Sequence, residues 1–351
     1  MKQKNKVLFS LLLITALSLT SFVGCGGGGG GGGDADGPET LVLRYASEVL
    51  EANIMYDLNY WICDEIEKRT DGRIKINFYP AAQLGEYDTV FEEVMIGSID
   101  MAQSWIPEFY DSRVGVVNIP AASRNFEETK LLYAPDRYVF KTLDGILEGL
   151  NIKLLGITIE GFENIASVKA VTDPFVPGAP KNTRLRVPPF EVDRLWMEAM
   201  GYEAMTISWG EVPTSLQTGI VDAWAGGNLM YHYGYTGDII KYSYVANSHP
   251  DATSIIINLE LWDSLSPEER KIFSDVSTEA ARMCADMGEG KQEEFADRLR
   301  ERGVDVVYAT PTELVEIAKF KRENVWPKYE SILTKDIMDG LKAELQDLGL
   351  W

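Results

Sequence analysis

Two stretches of this chain, residues 41–104 and 183–226, each alternate strand with helix, and that doubled alternation constrains the fold more than any other feature. In the first, LVLRYAS (41–47) reads as a strand. Met55, Leu58, Ile62 and Ile66 then recur at helical spacing until Asp71 and Gly72 stop the helix. RIKINFYP alternates Ile74, Ile76 and Phe78 as a second strand, and AAQLGEYDTVFEEVMIGSIDMAQS supplies a helix and a strand ending at Ser104. The second stretch repeats the theme with TRLRVPP (strand), FEVDRLWMEAMGY (helix), EAMTIS (strand), WGEVPTSLQTGI (helix) and VDAWAG (strand). Strands and helices in this order make a parallel sheet covered by helices, so the chain predicts an α/β molecule with two such units.

KLLGITIEGFENIASV, between the units, reads as a strand region that can cross from one to the other, and SIIINLELWDSL adds a further strand. The segment from Ser266 to Gly303 reads as one long helix, opened by a Ser-Pro-Glu-Glu cap signal. Gly288 and Gly290 are expected to interrupt it and give it a bend. A helix of this length exceeds one small domain and is expected to lie across both. The predicted lobes are residues 40–162 with 252–290, and 163–251 with 291–351. A cleft follows between them, and ligands of open α/β sheets bind outside the carboxyl ends of the strands.

NTRLRVPPF (182–190) puts two arginines on one strand face near such an end. Arg184 is expected to be structural, reaching Glu191 or Asp193. Arg186 faces the cleft in this reading, where a planar fork of donors suits a carboxylate; a surface ion pair is the plainer alternative. Three loop residues of the first lobe, Glu48, Glu86 and Trp105, also fall where the cleft should be. For the two glutamates simple solvation is the competing account, whereas an indole on an exposed loop needs a reason.

The chain begins with Lys2, Lys4 and Lys6, continues through the apolar VLFSLLLITALSLTSFVG and reaches Cys25. This predicts a signal peptide over 1–24. The glycines and polar residues of 25–39 then form a flexible tether. Their match to a GxGxxG pattern is accidental, since no strand precedes them. Cleavage before Cys25 takes the net charge from -21 to -24, which speaks against a nucleic-acid partner. Cys63 and Cys284 lie in apolar helical settings and are expected to be buried free thiols.

AAQLGEYDTVFEEVMIGSIDMA, TRLRVPP and WGEVPTSLQTGIVDAW resemble the DctP-like solute-binding proteins of tripartite ATP-independent periplasmic (TRAP) transporters, in order and at suitable separations from about residue 40 to the end. FVGC resembles a bacterial lipobox. The resemblance implies a two-lobed fold like that of type II periplasmic binding proteins. It implies a receptor, lipid-anchored through Cys25 in a periplasm or on an outer cell face, that closes on a small organic anion and serves a sodium-driven permease. In that family the arginine in the position of Arg186 pairs with the ligand carboxylate. Trp209 and Trp224 fall where the family places cleft walls, with core packing an equal alternative. Asn228 and Tyr231 follow Gly226 and Gly227 without the family's usual Gly-Gln-Glu-Asn run, so Asn228 is a shifted candidate. EGFENIAS carries Glu163 and Asn164 where many acid-binding relatives have a second arginine. A carboxylate there disfavours a dianionic ligand and favours a monocarboxylate, sugar acid, keto or hydroxy acid, or zwitterion; facing solvent is its alternative. Some relatives hold a keto acid through a cation, with an acid after the tryptophan. Ala225 follows Trp224 here, so neither metal nor other cofactor is expected. A monomer is expected.

The rival classes are a secreted α/β enzyme on a small carbohydrate or acid, and an adhesive surface lipoprotein. The chain's two histidines, His232 and His249, belong to no HExxH, Gly-x-Ser-x-Gly or Cys/His cluster. His232, among tyrosines, reads as a packing residue. No pair of carboxylates is singled out for glycoside hydrolysis.

Overall fold

A computed structural model of the chain describes residues 40–351. The expectations for the leader, Cys25 and the glycine tether lie outside the described residues. The chain runs through β1 (Leu41–Ser47), α1 (Ile54–Arg69), β2 (Ile74–Tyr79), α2 (Tyr87–Met95) and β3 (Met101–Ser104). A 3-10 turn (Ser112–Asn118), α3 (Phe126–Leu132), α4 (Tyr138–Glu148) and β4 (Ile152–Phe162) follow. Next come β5 (Ile165–Ser167), β6 (Arg184–Val187), α5 (Glu191–Met200), β7 (Glu203–Thr206) and a 3-10 turn (Trp209–Glu211). The chain continues with α6 (Val212–Gln217), β8 (Ala223–Trp224), α7 (Leu229–Thr236), β9 (Tyr242–Val245) and β10 (Pro250–Asn258). The last elements are α8 (Leu259–Ser264), α9 (Pro267–Glu301), β11 (Asp305–Tyr308), α10 (Pro311–Asn324), α11 (Trp326–Leu333) and α12 (Lys335–Asp347).

The strands form two sheets, one of five in the order β2-β1-β3-β10-β4 and one of six in the order β11-β9-β5-β8-β6-β7. Each predicted strand–helix unit sits in its own sheet and pairs its strands in parallel, β1 with β2 and β3, and β6 with β7 and β8, while β9 and β11 add a parallel pair outside both units. The expected crossing is real and double. β4 of the first sheet continues into β5 of the second, and β9 of the second continues into β10 of the first. The two crossing segments hold each other where they meet: the Glu163 N–H donates to the His249 carbonyl at 2.9 Å and the Ser248 N–H to the Glu163 carbonyl at 3.0 Å.

α9 starts at a capping box in which Ser266 and Glu269 exchange hydrogen bonds. It packs on β4 and α1 beside the first sheet and on α7 and β11 beside the second, so it spans both as expected. The interruption expected at Gly288 and Gly290 is absent: the helix runs unbroken through both. Gly288 serves close packing instead, since a Cβ there would stand 2.1 Å from the Phe126 ring. α11 and α12 return to the first sheet's side, against the 3-10 turn at 112–118 and α4. Cys63 and Cys284 are free and buried, as their settings predicted. No helix among the described residues is long and apolar enough to cross a membrane.

Candidate ligand-binding site

β6 lies between its parallel neighbours β7 and β8, with Arg186 opposite Met205 and Trp224. At its amino end Arg184 grips Asp222, Nη2 to Oδ1 at 2.9 Å and Nε to Oδ2 at 3.1 Å, and Lys169 joins the same carboxylate at 3.1 Å. The expected partners were Glu191 or Asp193. Asp222 wins because it immediately precedes β8, while Glu191 is held by Arg194 and Asp193 faces His249. The hydrogen bonds from Arg184 and Lys169 hold the Asp222 carboxyl down at about 2.

Two residues on, Arg186 is fully buried and is pinned by main chain. Its Nε donates to the Ile207 carbonyl at 2.8 Å and its Nη1 to the Ala225 carbonyl at 2.9 Å. Gly226 permits this: its φ is +103° and a Cβ there would stand 2.8 Å from Nη1. Nη2 has no hydrogen-bond partner, and no carboxylate lies within 4.0 Å of the guanidinium, among the described residues. Burial lowers the Arg186 pKa to about 10, against the attraction of Glu163, so the group is still a cation at neutral pH. A buried cation held by carbonyls, with no carboxylate within 4.0 Å, can receive one.

The chamber in front of Arg186 encloses about 20 Å3. Arg186, Glu163 and Trp209 face Glu48, Tyr87 and Trp105 across it, with Pro188, Phe190 and Gly226 completing the wall. Trp209 is stacked on Tyr235 at 4.4 Å and carries the Arg186 guanidinium 5.8 Å from its ring. Trp105 is oriented from behind by Asp251, which accepts from its Nε1 at 3.1 Å and from Asn228 Nδ2 at 2.7 Å. Neither side-chain oxygen of Glu48 has a side-chain hydrogen-bond partner among the described residues; burial pushes its carboxyl up to about 8, opposed by the Tyr87 N–H. Burial likewise raises Glu163, opposed by Arg186 and the Gly226 N–H. Behind Glu163 lie Asp193, raised by burial, and His249 and Lys321, both lowered by it.

Five sequence candidates therefore meet in one chamber: Arg186, Glu163, Trp209, Trp105 and Glu48. Five do not line it. Trp224 is core, edge-on to Trp209 and His232, with its Nε1 donating to Thr236 at 3.1 Å. Tyr231 is buried behind Trp105 and Trp209. Asn228 caps α7 and acts on the chamber only through Asp251. Asn164 ties the crossing segments, accepting from the Ala246 and Asn247 N–H groups. Glu86 lies at the rim, where a Cβ on Gly210 would meet its Oε1 at 2.6 Å. Tyr87, Phe190 and Tyr235 were missed. Only their placement beside Glu86, after Pro188-Pro189 and one helical turn past Tyr231 could have signalled them. His232 is the packing residue expected, bonded to Ser243 at 2.8 Å. A larger groove of about 730 Å3 between α3 and α10 is lined by Arg124, Asn247 and Arg322. Arg124 is already paired with Glu128 there, so the groove offers less to an anion.

The family model described as "Bacterial extracellular solute-binding protein, family 7" (DctP) matches residues 48–332. The 2,3-diketo-L-gulonate-binding periplasmic protein YiaO of Escherichia coli is 22% identical over 76% of this chain and 80% of its own length. A TRAP periplasmic solute-binding protein from Desulfovibrio salexigens, solved with orotic acid, superposes with a TM-score of 0.79 at 17% identity, over 88% of this chain and 100% of its own. One from Haemophilus influenzae, with L-gulonate, gives 0.75 at 19% over 87% and 100%.

Proposed function

The chain belongs to the DctP family of bacterial extracellular solute-binding proteins, and on that footing we propose that it captures a small organic acid for a TRAP-type transporter. It is a binding protein rather than an enzyme, as its relatives are. The acid's carboxylate pairs with Arg186, which two main-chain carbonyls hold in place but no carboxylate within 4.0 Å neutralises, among the described residues. Glu48 and Glu163 take up hydroxyl or ammonium donors from the rest of the molecule, and Trp105 and Trp209 sandwich its apolar faces. This favours a sugar acid, a hydroxy acid or a zwitterion over a dicarboxylate. L-gulonate and 2,3-diketo-L-gulonate, named for two of the relatives above, are of this kind.

The chamber's 20 Å3 is about the room of one water. An acid of several carbons therefore enters only when the lobes separate, and we read the crossing segments 163–164 and 246–249 as the hinge. The lobes are residues 40–162 with 252–290 and 163–251 with 291–351, the C-terminal helices packing back on the first. The protein works outside the cytoplasm, anchored through Cys25, beside its permease. Cys25→Ser is expected to move it from the membrane fraction to the soluble one or to leave the precursor uncleaved; unchanged fractionation together with an unmodified mature N-terminus removes the anchor.

Calorimetric titration with hexonates, hexuronates, hydroxy acids, amino acids and a C4-dicarboxylate tests the ligand reading. One saturable site for a monocarboxylate is expected, with a smaller radius of gyration in solution scattering on saturation. Tighter binding of the dicarboxylate than of every monocarboxylate would sink it.

A further inference from the structure

We propose that Glu163, Asp193 and His249 form a binding site for a divalent transition-metal ion of the Zn2+ type, set into the wall behind the ligand chamber. Two of the three come from the segments that cross between the sheets, and the third from the first turn of α5. One donor atom from each lies within 4.8 Å of the other two. His249 Nε2 stands 3.4 Å from Glu163 Oε2 and 3.3 Å from Asp193 Oδ1. Those are the edges of a coordination tetrahedron: bonds of about 2.0–2.1 Å at the tetrahedral angle put donors roughly 3.3–3.4 Å apart. They are long for charge-assisted hydrogen bonds, which close to about 2.7–2.9 Å.

The three residues are 5%, 1% and 1% exposed. Glu163 Oε2 and both Asp193 oxygens are buried without a hydrogen-bond partner. Neither carboxylate has an arginine or lysine within 4.0 Å among the described residues. The two cations nearby are already engaged. Lys321 donates to the Ser248 carbonyl at 2.6 Å and lies 4.0 Å from the Trp196 ring. Arg186 is pinned to two carbonyls. A cation set between buried carboxylates that face one another across an imidazole relieves the cost of burying their charge. Two carboxylates with one imidazole suit Zn2+, Mn2+ or Co2+ rather than Ca2+ or Cu(I).

The site does not involve Ala225, the position directly after Trp224 where the sequence offered no ligand for an ion. Glu163 belongs both to it and to the chamber. A bound ion would draw off one carboxylate from the acid's surroundings and tie α5 to the hinge segments. The inference stands apart from the identity of the acid, because it needs only the metal.

The test uses chelator-stripped protein titrated with Zn2+ alone. One ion per chain is expected, and Co2+ in its place is expected to give the intense visible bands of tetrahedral coordination. Asp193→Asn and His249→Gln should each weaken Zn2+ binding at least about tenfold, since even outer-shell partners of metal ligands cost ~10-fold. Binding as tight in both variants as in the parent means an adventitious surface ion and overturns the proposal. Should the variants fail to fold, anomalous scattering from Zn2+-soaked parent crystals decides. A peak between the three side chains supports the site, and a soaked crystal without one rejects it.

Discussion

Arg184 and Arg186 share a strand and a face yet do different work, and the difference lies in what waits at each end of β6. At the amino end Asp222 neutralises Arg184 in a half-exposed pair; at the carboxyl end two carbonyls hold Arg186 without neutralising it. Truncating one partner of a buried charge pair typically costs about 2–5 kcal/mol. Arg186→Ala should therefore weaken acid binding by roughly thirty- to several-thousand-fold, and Arg186→Lys, which keeps charge but loses the fork, should fall between. Arg184→Ala should leave affinity unchanged and cost at most about 1 kcal/mol of stability, as exposed pairs do. Calorimetry on the three variants checks this, and parental affinity in Arg186→Ala is the outcome that refutes it. Arg186 was legible because alternation, charge and the Pro-Pro turn coincide at one strand end. Trp209 and Trp224 were not separable, since an indole's sequence neighbours do not say whether it lines the chamber or packs in the core behind the wall. Arg184's partner was missed for a related reason: Asp222 is 38 residues away, brought near only by strand pairing.

Helix α9 carries the comparison to the scale of elements. Its cap, length and reach across both sheets could be read from the sequence because capping boxes and helical stretches are local signals. The role of its glycines could not, because it depends on what packs against them. Gly288 faces the Phe126 ring, itself edge-on to Phe162 at 5.3 Å, whereas nothing lies within 4 Å of a Cβ on Gly290. The two positions should thus respond to alanine with opposite signs. Gly288→Ala forces the rings apart and should destabilise by about 1–3 kcal/mol. Gly290→Ala removes a helix-weakening residue from open surface and should stabilise by about 0.5–1 kcal/mol. Denaturant unfolding of both variants settles the matter. Equal destabilisation by the two would instead favour the bend the glycine pair suggests in sequence. The same contrast holds for the sheets: parallel pairs follow from the strand–helix rhythm, while the double crossing that places Glu163 against His249 is a long-range fact.

At the scale of the whole molecule the dominant feature is an acidic chain, net charge -21, that buries several of its carboxyls around the chamber at Arg186. Glu48 makes the consequence measurable. Burial is the largest cause of its raised pKa, reinforced by Glu86, which precedes α2, and by Asp88 in its first turn. Tyr87, Tyr231 and Tyr235 also face it, with Glu163 and Arg186 across the chamber. In the unfolded chain this carboxyl titrates near 4.5, in the folded one near 8. Between those values the folded state binds the extra proton, so stability falls as pH rises from about 4.5 to about 8. This is the reverse of the slope given by a salt-bridged carboxylate. Glu160, buried beside Asp251, pushes the same way. The melting temperature of the ligand-free protein should therefore decline from pH 5 to pH 8, and Glu48→Gln, which cannot ionise, should flatten part of that decline while matching the parent near pH 5. A bound acid that offers donors to Glu48 should flatten it too, because a paired carboxylate no longer needs its proton. Thermal unfolding of parent and variant across that range checks both statements. A slope left unchanged by Glu48→Gln would mean that Glu48 meets water in the folded chain, and with it would go the idea that this carboxylate waits for a hydroxyl or an ammonium.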